Sequence, residues 1–414
     1  MSLTLAARNL ALVAWNQSGR LYRRAHRWAL RRSKHARESA KHVKARVRLG
    51  GARGRDAAQL AYAGTIRSTR YWERIGRRIW PVIARDVAAR RVLRSASRGA
   101  RPILVGPWLS EVGYEALYWI PFVRWFADHY HVEPERLIAI SRGGVASWYG
   151  GIAARYVEQL DLFAPGEFAA RNERRTAAAD QKQLTRSAFD EEILSRASQR
   201  LGLTNPAICH PSSMFGLLRQ FWLGNESLQY VLEHTRYAPI TARTSVVLPP
   251  LPPKYVAVKF YTGRAVMDTP RHRDFLRSIV ERLSQQHAIV TLSTGLSLDE
   301  HEDYVFRDIP NVITLDRWMT PQNNLAVQTE VIRGAQQFVG TCGSLAWLAP
   351  MLGTPTIATY ADDRFLTSHL YAARHAYQTM GAAPFVAVDL NVFTLDFFDA
   401  EQKRVQRPEW ARDA

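Results

Sequence analysis

The chain has 414 residues, of which 47% are hydrophobic and 22% are charged, and its formal net charge is +19. This length allows two or more domains, and the composition is that of a globular protein rather than a disordered or fibrous one. No run of 18 or more apolar residues marks a membrane-spanning helix.

The positive charge is concentrated at the N-terminus. Residues 1–100 contain 25 Lys and Arg against 4 Asp and Glu, whereas the rest of the chain has a net charge of −2. Within residues 1–100, short apolar clusters alternate with arginine-rich stretches, and this pattern predicts a basic amphipathic helical extension. Such segments are attracted to anionic lipid head groups by about 1 kcal/mol per Lys or Arg near the surface.

Three interpretations of this extension remain open. Tryptophan side chains favour a membrane interface, so we expect a cytoplasmic protein that binds peripherally to the anionic inner face of a membrane through residues 1–100. Arginine interleaved with aromatic side chains also suits nucleic acid, which is the less favoured partner. The third interpretation is a solvated tail without a partner.

Strands alternate with helices from residue 101 onward. Two predicted strands, Ile103–Val105 and Leu137–Ser141, each lead into a glycine-containing loop, and an apolar helix is predicted at about Glu115–Tyr130. Residues 164–200 are predicted to be surface helix and loop, and Met214–Leu223 has helical spacing. This alternation predicts an N-terminal Rossmann-like domain with a parallel sheet over residues 101–248.

A proline-rich segment at residues 249–253 is predicted to be a stiff linker. After it the alternation restarts, with predicted strands and helices at Tyr255–Tyr261, Arg271–His287, Ala288–Leu292, Val312–Leu315 and Gln322–Arg333. We expect a second Rossmann-like domain over residues 254–395 and a tail over residues 396–414. The predicted fold class is therefore α/β, with two Rossmann-like domains facing across a cleft.

The segment Phe338–Asp362 has the pattern of a strand, a turn of small residues, a helix and a second strand. Gly353 and Pro355 predict the end of the helix, and Thr356–Tyr360 predicts the following strand. Free N–H groups and the helix dipole attract anions to such a helix start. It is either a pocket for the diphosphate of a nucleotide-activated donor or a tight turn in which glycine only relieves backbone strain.

Ligands of open parallel sheets bind beyond the carboxyl ends of the strands, so residues that follow predicted strands are candidate site residues. In the second domain these are Lys259, Tyr261, Arg264, Ser293, Gly295, Trp318, Gly340, Thr341, Gly343, Ser344 and Asp362. Basic side chains, hydroxyls and free amides suit a diphosphate, and Trp318 suits a nucleobase. Asp362 either orients a sugar or caps the next helix.

The corresponding residues of the first domain are predicted to face an acceptor. They are Ser110, Glu111, Gly113, Glu115, Arg142, Gly143 and Gly144. A carboxylate on a glycine-containing loop opposite a phosphate pocket is placed to act as a general base toward a hydroxyl group. The simpler interpretation makes Glu111 a solvated loop residue and Glu115 a favourable charge in the first turn of a helix.

Neither a metal ion nor a cofactor is expected. The acidic run from Asp299 to Asp303 is predicted to supply the start of a helix, and no Asp-x-Asp pair or paired His and Cys spacing is present. Cys209 and Cys342 favour a reducing compartment over a disulfide scaffold. The absence of P-loop and Gly-x-Ser-x-Gly motifs argues against a P-loop NTPase and a serine hydrolase.

Two segments resemble GT-B glycosyltransferases, in particular heptosyltransferase-like and related bacterial surface-polysaccharide enzymes. The segment FVGTCGSLAWLAPMLGTPTIATYAD is similar to their small-residue turn and the helix that Leu-Gly-Thr-Pro ends. The segment GPWLSEVGYEALYWIPFVRW is similar in layout to their first βα loop. In heptosyltransferase-like members an acidic residue directly after the glycine of that loop is regarded as the base, whereas Tyr114 occupies that position here.

The resemblance implies transfer of a sugar from a nucleotide-sugar to a hydroxyl of a lipid-linked or polysaccharide acceptor, without metal and with inversion. Thr341, Gly343 and Ser344, with Lys259 or Arg264, would bind the diphosphate, and Glu111 or Glu115 would be the base. The alternatives are a polysaccharide pyruvyl-transferase-like enzyme that uses phosphoenolpyruvate, a nucleic-acid-binding protein that uses the basic extension, and a catalytically inactive scaffold.

Overall fold

The structure is a computed structural model, and it describes residues 84–164, 166–177, 182–294 and 302–392. The chain divides after Val87 into two compact units, and every strand set out below lies in the second unit, which begins at Ala88. Most of the predicted basic extension, up to residue 83, and the predicted tail at 396–414 lie outside the described residues.

The first half of this unit is built on a parallel sheet of four strands in the order β3-β2-β1-β4. Its elements are α1 (residues 84–97, of which 88–97 belong to this unit), β1 (Ile103–Val105), α2 (α-helical Val112–Tyr114, π-helical Glu115–Trp119 and α-helical Ile120–Tyr130), β2 (Leu137–Ser141), β3 (Arg155–Glu158), α3 (Glu167–Ala177), α4 (Ala188–Arg200), β4 (Ala207–Cys209), α5 (Pro211–Trp222) and α6 (Leu228–Leu232).

Local sequence signals explain where several of these helices begin and end. Helix α4 starts at a capping box, in which the Ser187 and Asp190 side chains each accept a hydrogen bond from the other residue's backbone N–H. Helix α5 starts with Pro211 after His210, whose ring accepts a hydrogen bond from the Ser212 N–H. Helix α2 ends where His131 adopts a left-handed conformation.

The second half is built on a parallel sheet of six strands in the order β10-β9-β8-β5-β6-β7. Its elements are β5 (Tyr255–Lys259), α7 (Pro270–Ser284), β6 (Ala288–Thr291), β7 (Val312–Thr314), α8 (Asn324–Gly334), β8 (Gln337–Thr341), α9 (Ser344–Leu348, continued by a 3-10 turn at Ala349–Leu352), β9 (Thr356–Tyr360), α10 (Thr367–Met380) and β10 (Phe385–Asp389).

Both strand orders are those of doubly wound Rossmann sheets. Numbered within its own half, the second sheet has the order 3-2-1-4-5-6 from β7 to β10, and the first sheet has the order 3-2-1-4. The predicted fold class, α/β with two Rossmann-like sheets, is therefore confirmed. Each sheet has a topological switch point, where its first and fourth strands lie side by side and where such folds bind ligands.

The connection between the sheets is longer than the proline-rich segment. Residues 235–254 have no regular secondary structure, and their earlier part is bound to the second half. The Ile240 N–H donates to the Met351 carbonyl (2.9 Å), and Arg333 donates to the Ile240 and Ala242 carbonyls (both 2.9 Å). The stiff proline-rich segment thus follows a stretch that is already anchored on α8.

Candidate active site between the two sheets

The carboxyl edges of the two sheets face each other. Gly113 in α2 lies so close to α9 that a Cβ atom there would stand 2.8 Å from the Ser344 backbone nitrogen. The Gly143 carbonyl, after β2, accepts a hydrogen bond from the Ala326 N–H of α8 (2.8 Å). The start of α2, the loop after β2, the start of α8 and the start of α9 each follow a strand. The loops that carry ligands in Rossmann folds therefore meet along one contact between the two sheets, which we call the seam.

The predicted anion pocket at the start of α9 is covered by protein groups. The Thr341 hydroxyl oxygen accepts from the Tyr261 N–H (3.0 Å) and its hydrogen is donated to the Tyr261 carbonyl (3.2 Å). The Tyr261 hydroxyl lies against Gly343, 2.6 Å from the position of an added Cβ, and Gly113 lies against Ser344. A diphosphate at Thr341, Gly343 and Ser344 stays a prediction and requires these covering groups to move.

Two further candidate residues, Gly340 and Lys259, make contacts between neighbouring strands of the second sheet. An added Cβ on Gly340 would collide with the Lys259 carbonyl of β5. The Lys259 ammonium pairs with Asp303 Oδ2 (2.9 Å) and donates to the Leu292 carbonyl (3.0 Å), so its charge is balanced and ties β5 to the end of β6. Among the described residues of the acidic run, Asp303 lies in a bridge with Tyr261, not at a helix start, which corrects that expectation.

The other donor-side candidates lie apart from this cluster of contacts. Trp318 is 46% exposed on a turn after β7, and Ser293 is buried after β6. Asp362 accepts hydrogen bonds from the Arg364 side chain (3.0 Å) and N–H (3.0 Å), which lower the pKa of its carboxyl to about 2. Asp362 thus caps its own loop rather than α10, which begins at Thr367. Gly295 lies outside the described residues.

The two candidate glutamates lie in different environments. Glu115 is fully buried in the π-helical turn of α2; its Oε1 accepts from the Ser141 hydroxyl (2.6 Å) and the Tyr149 hydroxyl (2.7 Å). Its Oε2 has no hydrogen-bond partner. Burial raises the pKa of Glu115 to about 7, against the opposing effects of those two hydrogen bonds and of Arg142.

Glu111 is exposed and stands at the residue that precedes α2. Its backbone carbonyl accepts the Glu115 N–H (3.2 Å), but its carboxylate makes no capping hydrogen bond. Burial is the main cause of the pKa shifts of Tyr114, which is raised, and Lys182, which is lowered, and the negative charge of Glu111 acts to raise both. Of the two glutamates, Glu111 is therefore the one that a substrate reaches in this conformation.

Buried side chains hold the loop that carries Glu111. Gln183 accepts from the Leu109 N–H (2.9 Å) and donates to the Pro107 carbonyl (2.8 Å) and to Asp190 Oδ1 (2.7 Å). The Trp108 carbonyl accepts from Gln159 (3.0 Å), the Leu109 carbonyl from Arg175 (2.9 Å), and the Ser110 carbonyl from Arg142 (3.4 Å). The loop is thus fixed before any ligand binds.

The remaining acceptor-side candidates also belong to the framework of the site. Arg142 is buried against Ser110, and Gly144 donates its N–H to Glu158 Oε2 (2.8 Å). Gly143 and Gly144 both adopt positive φ values, and Cβ atoms there would crowd Leu325 and Ala326 of α8. These residues shape the contact between the two halves.

A group of side chains that sequence reasoning missed surrounds Tyr114. The Lys182 ammonium donates to the Tyr114 hydroxyl (3.0 Å), and His369 of α10 lies between the hydroxyls of Tyr114 (3.2 Å) and Tyr118 (2.8 Å). Burial, and then the charge of Lys182, lower the pKa of His369 to about 3, so its ring is neutral at physiological pH. The Trp222 ring packs edge-on against Tyr114 at 5.2 Å between centroids.

Several other features bear on the site. The described residues contain no group of three His, Cys, Asp or Glu side chains arranged to hold a metal ion, and none of their helices has the length and hydropathy of a membrane span. Cys209 and Cys342 are both free and buried. A cavity of about 260 Å³, lined by residues that include Asp128, His131 and Gly151, lies near the amino ends of β2 and β3, away from the seam.

Comparisons with known proteins complete this description. No protein-family model matches the chain, and no curated protein matches it in sequence. Among solved structures, the chain is similar to the iron-containing dodecameric glycosyltransferase TibC of enterotoxigenic E. coli (14% identity, 63% of this chain and 58% of that chain, TM-score 0.36). It is also similar to a family 9 glycosyl transferase of Veillonella parvula, with 11% identity over 74% of this chain and 89% of that chain and a TM-score of 0.39. A third similar structure is the E. coli heptosyltransferase WaaC with ADP, with 12% identity over 73% of this chain and 98% of that chain and a TM-score of 0.32.

The solved structures named here are those of glycosyltransferases, and WaaC is a heptosyltransferase. The chain spans 58% of the length of TibC. At these identities and TM-scores, no residue of the chain takes a role from the similar structures.

Proposed function

We propose that the chain is a glycosyltransferase that moves a sugar from a nucleotide-sugar donor to a hydroxyl acceptor. The observation that carries the proposal is the seam at which the carboxyl edges of two parallel Rossmann-like sheets meet. One edge presents the exposed carboxylate of Glu111 and the other presents Arg264. Such edges bind nucleotides, and transfer between two substrates requires that both are held at one junction.

The proposed reaction is a single displacement. Glu111 takes the proton of the acceptor hydroxyl as its oxygen attacks the anomeric carbon of the donor sugar. The bond from that carbon to the diphosphate oxygen breaks, and the nucleoside diphosphate leaves with the electron pair. Positive side chains at the seam, Arg264 among them, stabilise the charge that develops on the leaving group, so the reaction requires no metal ion. Attack from the face opposite the leaving group inverts the anomeric configuration.

Glu115 has a different proposed role. Its carboxyl group has no exposed surface and is bound by the hydroxyls of Ser141 and Tyr149. A group that is sealed in this way does not reach an acceptor hydroxyl without a change in α2. We therefore assign the contact with substrate to Glu111 and treat Glu115 as a positioning residue for the turn that α2 makes after the loop.

The acceptor and the location of the enzyme are further parts of the proposal. The excess of basic residues in the first 100 positions supports binding to an anionic membrane surface, with a lipid-linked or polysaccharide acceptor at its inner face. Binding of the full-length chain to vesicles that contain anionic lipid should weaken as salt rises. Equal binding to neutral vesicles would contradict this part of the proposal.

The test of the function is a transfer assay with labelled UDP-, GDP-, ADP- and CMP-sugars, preceded by a thermal-shift screen of the same donors. Glu111→Gln should lower kcat by about 100-fold or more, the usual contribution of a general base, whereas Glu115→Gln should keep most of it. Glu173→Gln, at an exposed glutamate of α3, is the matched control. Transfer from phosphoenolpyruvate in place of every nucleotide-sugar, or full activity of Glu111→Gln, would overturn the proposal.

A further inference from the structure

One row of side chains crosses the second sheet from its centre to its edge strand β10. Because neighbouring strands pair in register, the row consists of Val258 of β5, Val339 of β8, Ile357 of β9 and Val386 of β10. We call the face that carries this row the outer face. Val258 and Val339 are 1% and 4% exposed, Ile357 is partly buried, and Val386 is 53% exposed. The cover of the outer face therefore ends before the edge strand.

The opposite face of β10 is covered by helices. The Phe385 ring stacks on Trp347 of α9 (5.4 Å between centroids) and packs against Tyr377 of α10 (5.5 Å). On the outer face, α7 shares one hydrophobic cluster with Val258 and Val339. Parallel sheets are normally buried on both faces, because their crossover helices lie on both. Among the described residues, the outer face of β10 thus lacks the cover that such a sheet needs.

The chain itself enters the outer face directly after β10. Residues 390–392 are helical, and the Asp389 carboxylate caps this helix by accepting a hydrogen bond from the Asn391 N–H (2.9 Å). Leu390 is buried in the cluster that lies under α7, whereas Val392 is exposed. The described residues therefore end within the first turn of a helix, and the buried side of that turn is packed on the outer face.

The sequence that follows continues the apolar pattern of this first turn. Residues 393–414 lie outside the described residues, and Phe393 and Phe397 follow Leu390 at three and seven positions, which is the spacing of one helix face. A helix from Leu390 to Ala400 would be about 16 Å long at 1.5 Å per residue. The five residues of β10 span about the same length at 3.3 Å per residue. The segment is long enough to cover the exposed end of the row.

We propose that residues 393–414 fold back antiparallel to β10 and cover the outer face of β9 and β10, with Phe393 and Phe397 against Ile357 and Val386. The chain's own continuation is the occupant, rather than a separate partner, because its first turn is already packed there. The two phenylalanine side chains are buried by this contact, and so is Val386. The edge strand thereby gains the second helical layer of a doubly wound sheet.

The same segment is connected to two loops at the carboxyl edge of the sheet. The Asn391 side-chain amide donates to the Ala361 carbonyl, and the Ala361 N–H donates to the Ala265 carbonyl (both 2.7 Å). Ala361 follows β9, and Ala265 follows β5 next to Arg264. The docked segment therefore supports these loops as well as the edge strand.

The test is the rate at which a maleimide labels the thiol that Val386→Cys introduces into the full-length protein. Cys209 and Cys342 are both buried, so they do not compete for the reagent. The reference is the thiol of Val247→Cys, at a position that is 78% exposed in the connection between the sheets. We expect the Val386→Cys thiol to react about 10-fold or more slowly than the reference, because burial of one Phe side chain shifts an opening equilibrium by that factor.

Phe397→Asp, added to Val386→Cys, should raise the labelling rate to that of the reference. Leu395→Asp is the matched control: it removes an apolar side chain two positions away, on the other side of the same helix, and should leave the rate unchanged. Cys209 and Cys342 should stay unlabelled throughout, which shows that a faster reaction at residue 386 does not come from unfolding.

Reaction of the Val386→Cys thiol at the reference rate would overturn the proposal, and so would equal effects of Phe397→Asp and Leu395→Asp. Protection that survives Phe397→Asp would overturn it as well. In that case, protection that disappears on dilution identifies a second copy of the chain as the cover, and protection that requires anionic vesicles identifies a membrane surface. No substrate enters the experiment, so its outcome is independent of the proposed function.

Discussion

Glu115 is a carboxyl group that the fold keeps away from water. Its pKa of about 7 lies above the usual 4.5, chiefly because burial disfavours the charged form. Between pH 4.5 and 7 the folded chain retains a proton that the unfolded chain has released. The contribution of this group to the free energy of unfolding is therefore largest at low pH and is lost as pH rises through that window. Burial also raises the pKa of Glu158 to about 7, with the same sign.

Glu115→Gln should remove this pH dependence, because the amide keeps the shape of the neutral carboxyl and does not ionise. The free energy of unfolding of the variant, relative to wild type, should increase between pH 4.5 and 7 and level off above pH 7. Urea unfolding at intervals of half a pH unit measures this difference in the free energy of unfolding, with Glu173→Gln as an exposed control. Parallel curves for the wild type and Glu115→Gln would mean that Glu115 is ionised throughout.

At the residue scale, the sequence indicated which positions follow strands, but not which of their side chains are exposed and which are buried or ion-paired. Glu111 and Glu115 are the same type of residue four positions apart, yet Glu111 is exposed and Glu115 is buried in the π-helical turn. The balanced charge of Lys259 depends on Asp303, 44 residues later. No local pattern reveals such a pairing, because it is created by the contact between β5 and the segment after β6.

The loop between β1 and α2 is the element on which the proposed chemistry depends. Polar side chains from other elements bind its backbone from Pro107 to Ser110, and Gln183 alone contacts Pro107, Leu109 and Ser110. Backbone groups that are buried need such partners, since leaving one unpaired costs about 1–3 kcal/mol. The loop thereby holds Glu111 in place without help from a substrate.

Gln183→Met should release this loop, because it removes a buried acceptor and donor while it keeps the side-chain volume. We expect a loss of roughly 2–4 kcal/mol in the free energy of unfolding, because the side chain makes four buried hydrogen bonds, and faster amide exchange at Leu109. Hydrogen exchange with mass spectrometry of the peptide that contains residues 106–111 measures the second effect. Gln286→Met, at an exposed position after α7, should change neither quantity.

At the element scale, strands that are buried on both faces were predicted well. Ile103–Val105, Leu137–Ser141 and Thr356–Tyr360 have the predicted bounds, since continuous apolar runs with turn residues at their ends are a strong signal. The strands β3 and β10 were missed because they lie at sheet edges, where exposed residues such as Arg155 and Val386 interrupt the apolar pattern. The strand β4, which also lies at a sheet edge, was missed as well.

The two halves of the protein share one hydrophobic core. Its largest cluster contains Trp108, Leu117 and Trp119 from the first half together with Leu345 and Trp347 from the second. Separate clusters lie on the outer faces of the two sheets. The sequence predicted two domains and a cleft, but it could not predict this shared core, because the apolar residues on α2 and α9 are equally consistent with packing inside one domain.

A single polar contact within this core tests how strongly the halves are coupled. The Trp148 indole N–H, from the turn after β2, donates to the hydroxyl oxygen of Thr329 in α8 (2.9 Å), and both side chains are buried. Thr329→Val leaves the indole N–H without a partner and should cost about 1–3 kcal/mol. Because this contact joins the two halves, the loss should also lower the cooperativity of unfolding.

Urea unfolding followed by hydrogen exchange of peptides from β1 and β8 distinguishes coupling from a general loss of stability. In Thr329→Val the two sheets should open at different denaturant concentrations, whereas in the wild type they should open together. The matched control is Thr291→Val, which removes a buried hydroxyl whose partner, the Ile313 carbonyl, lies in the same sheet. If Thr329→Val keeps one common transition, the shared apolar core alone couples the two halves, and the seam opens only when the whole unit unfolds.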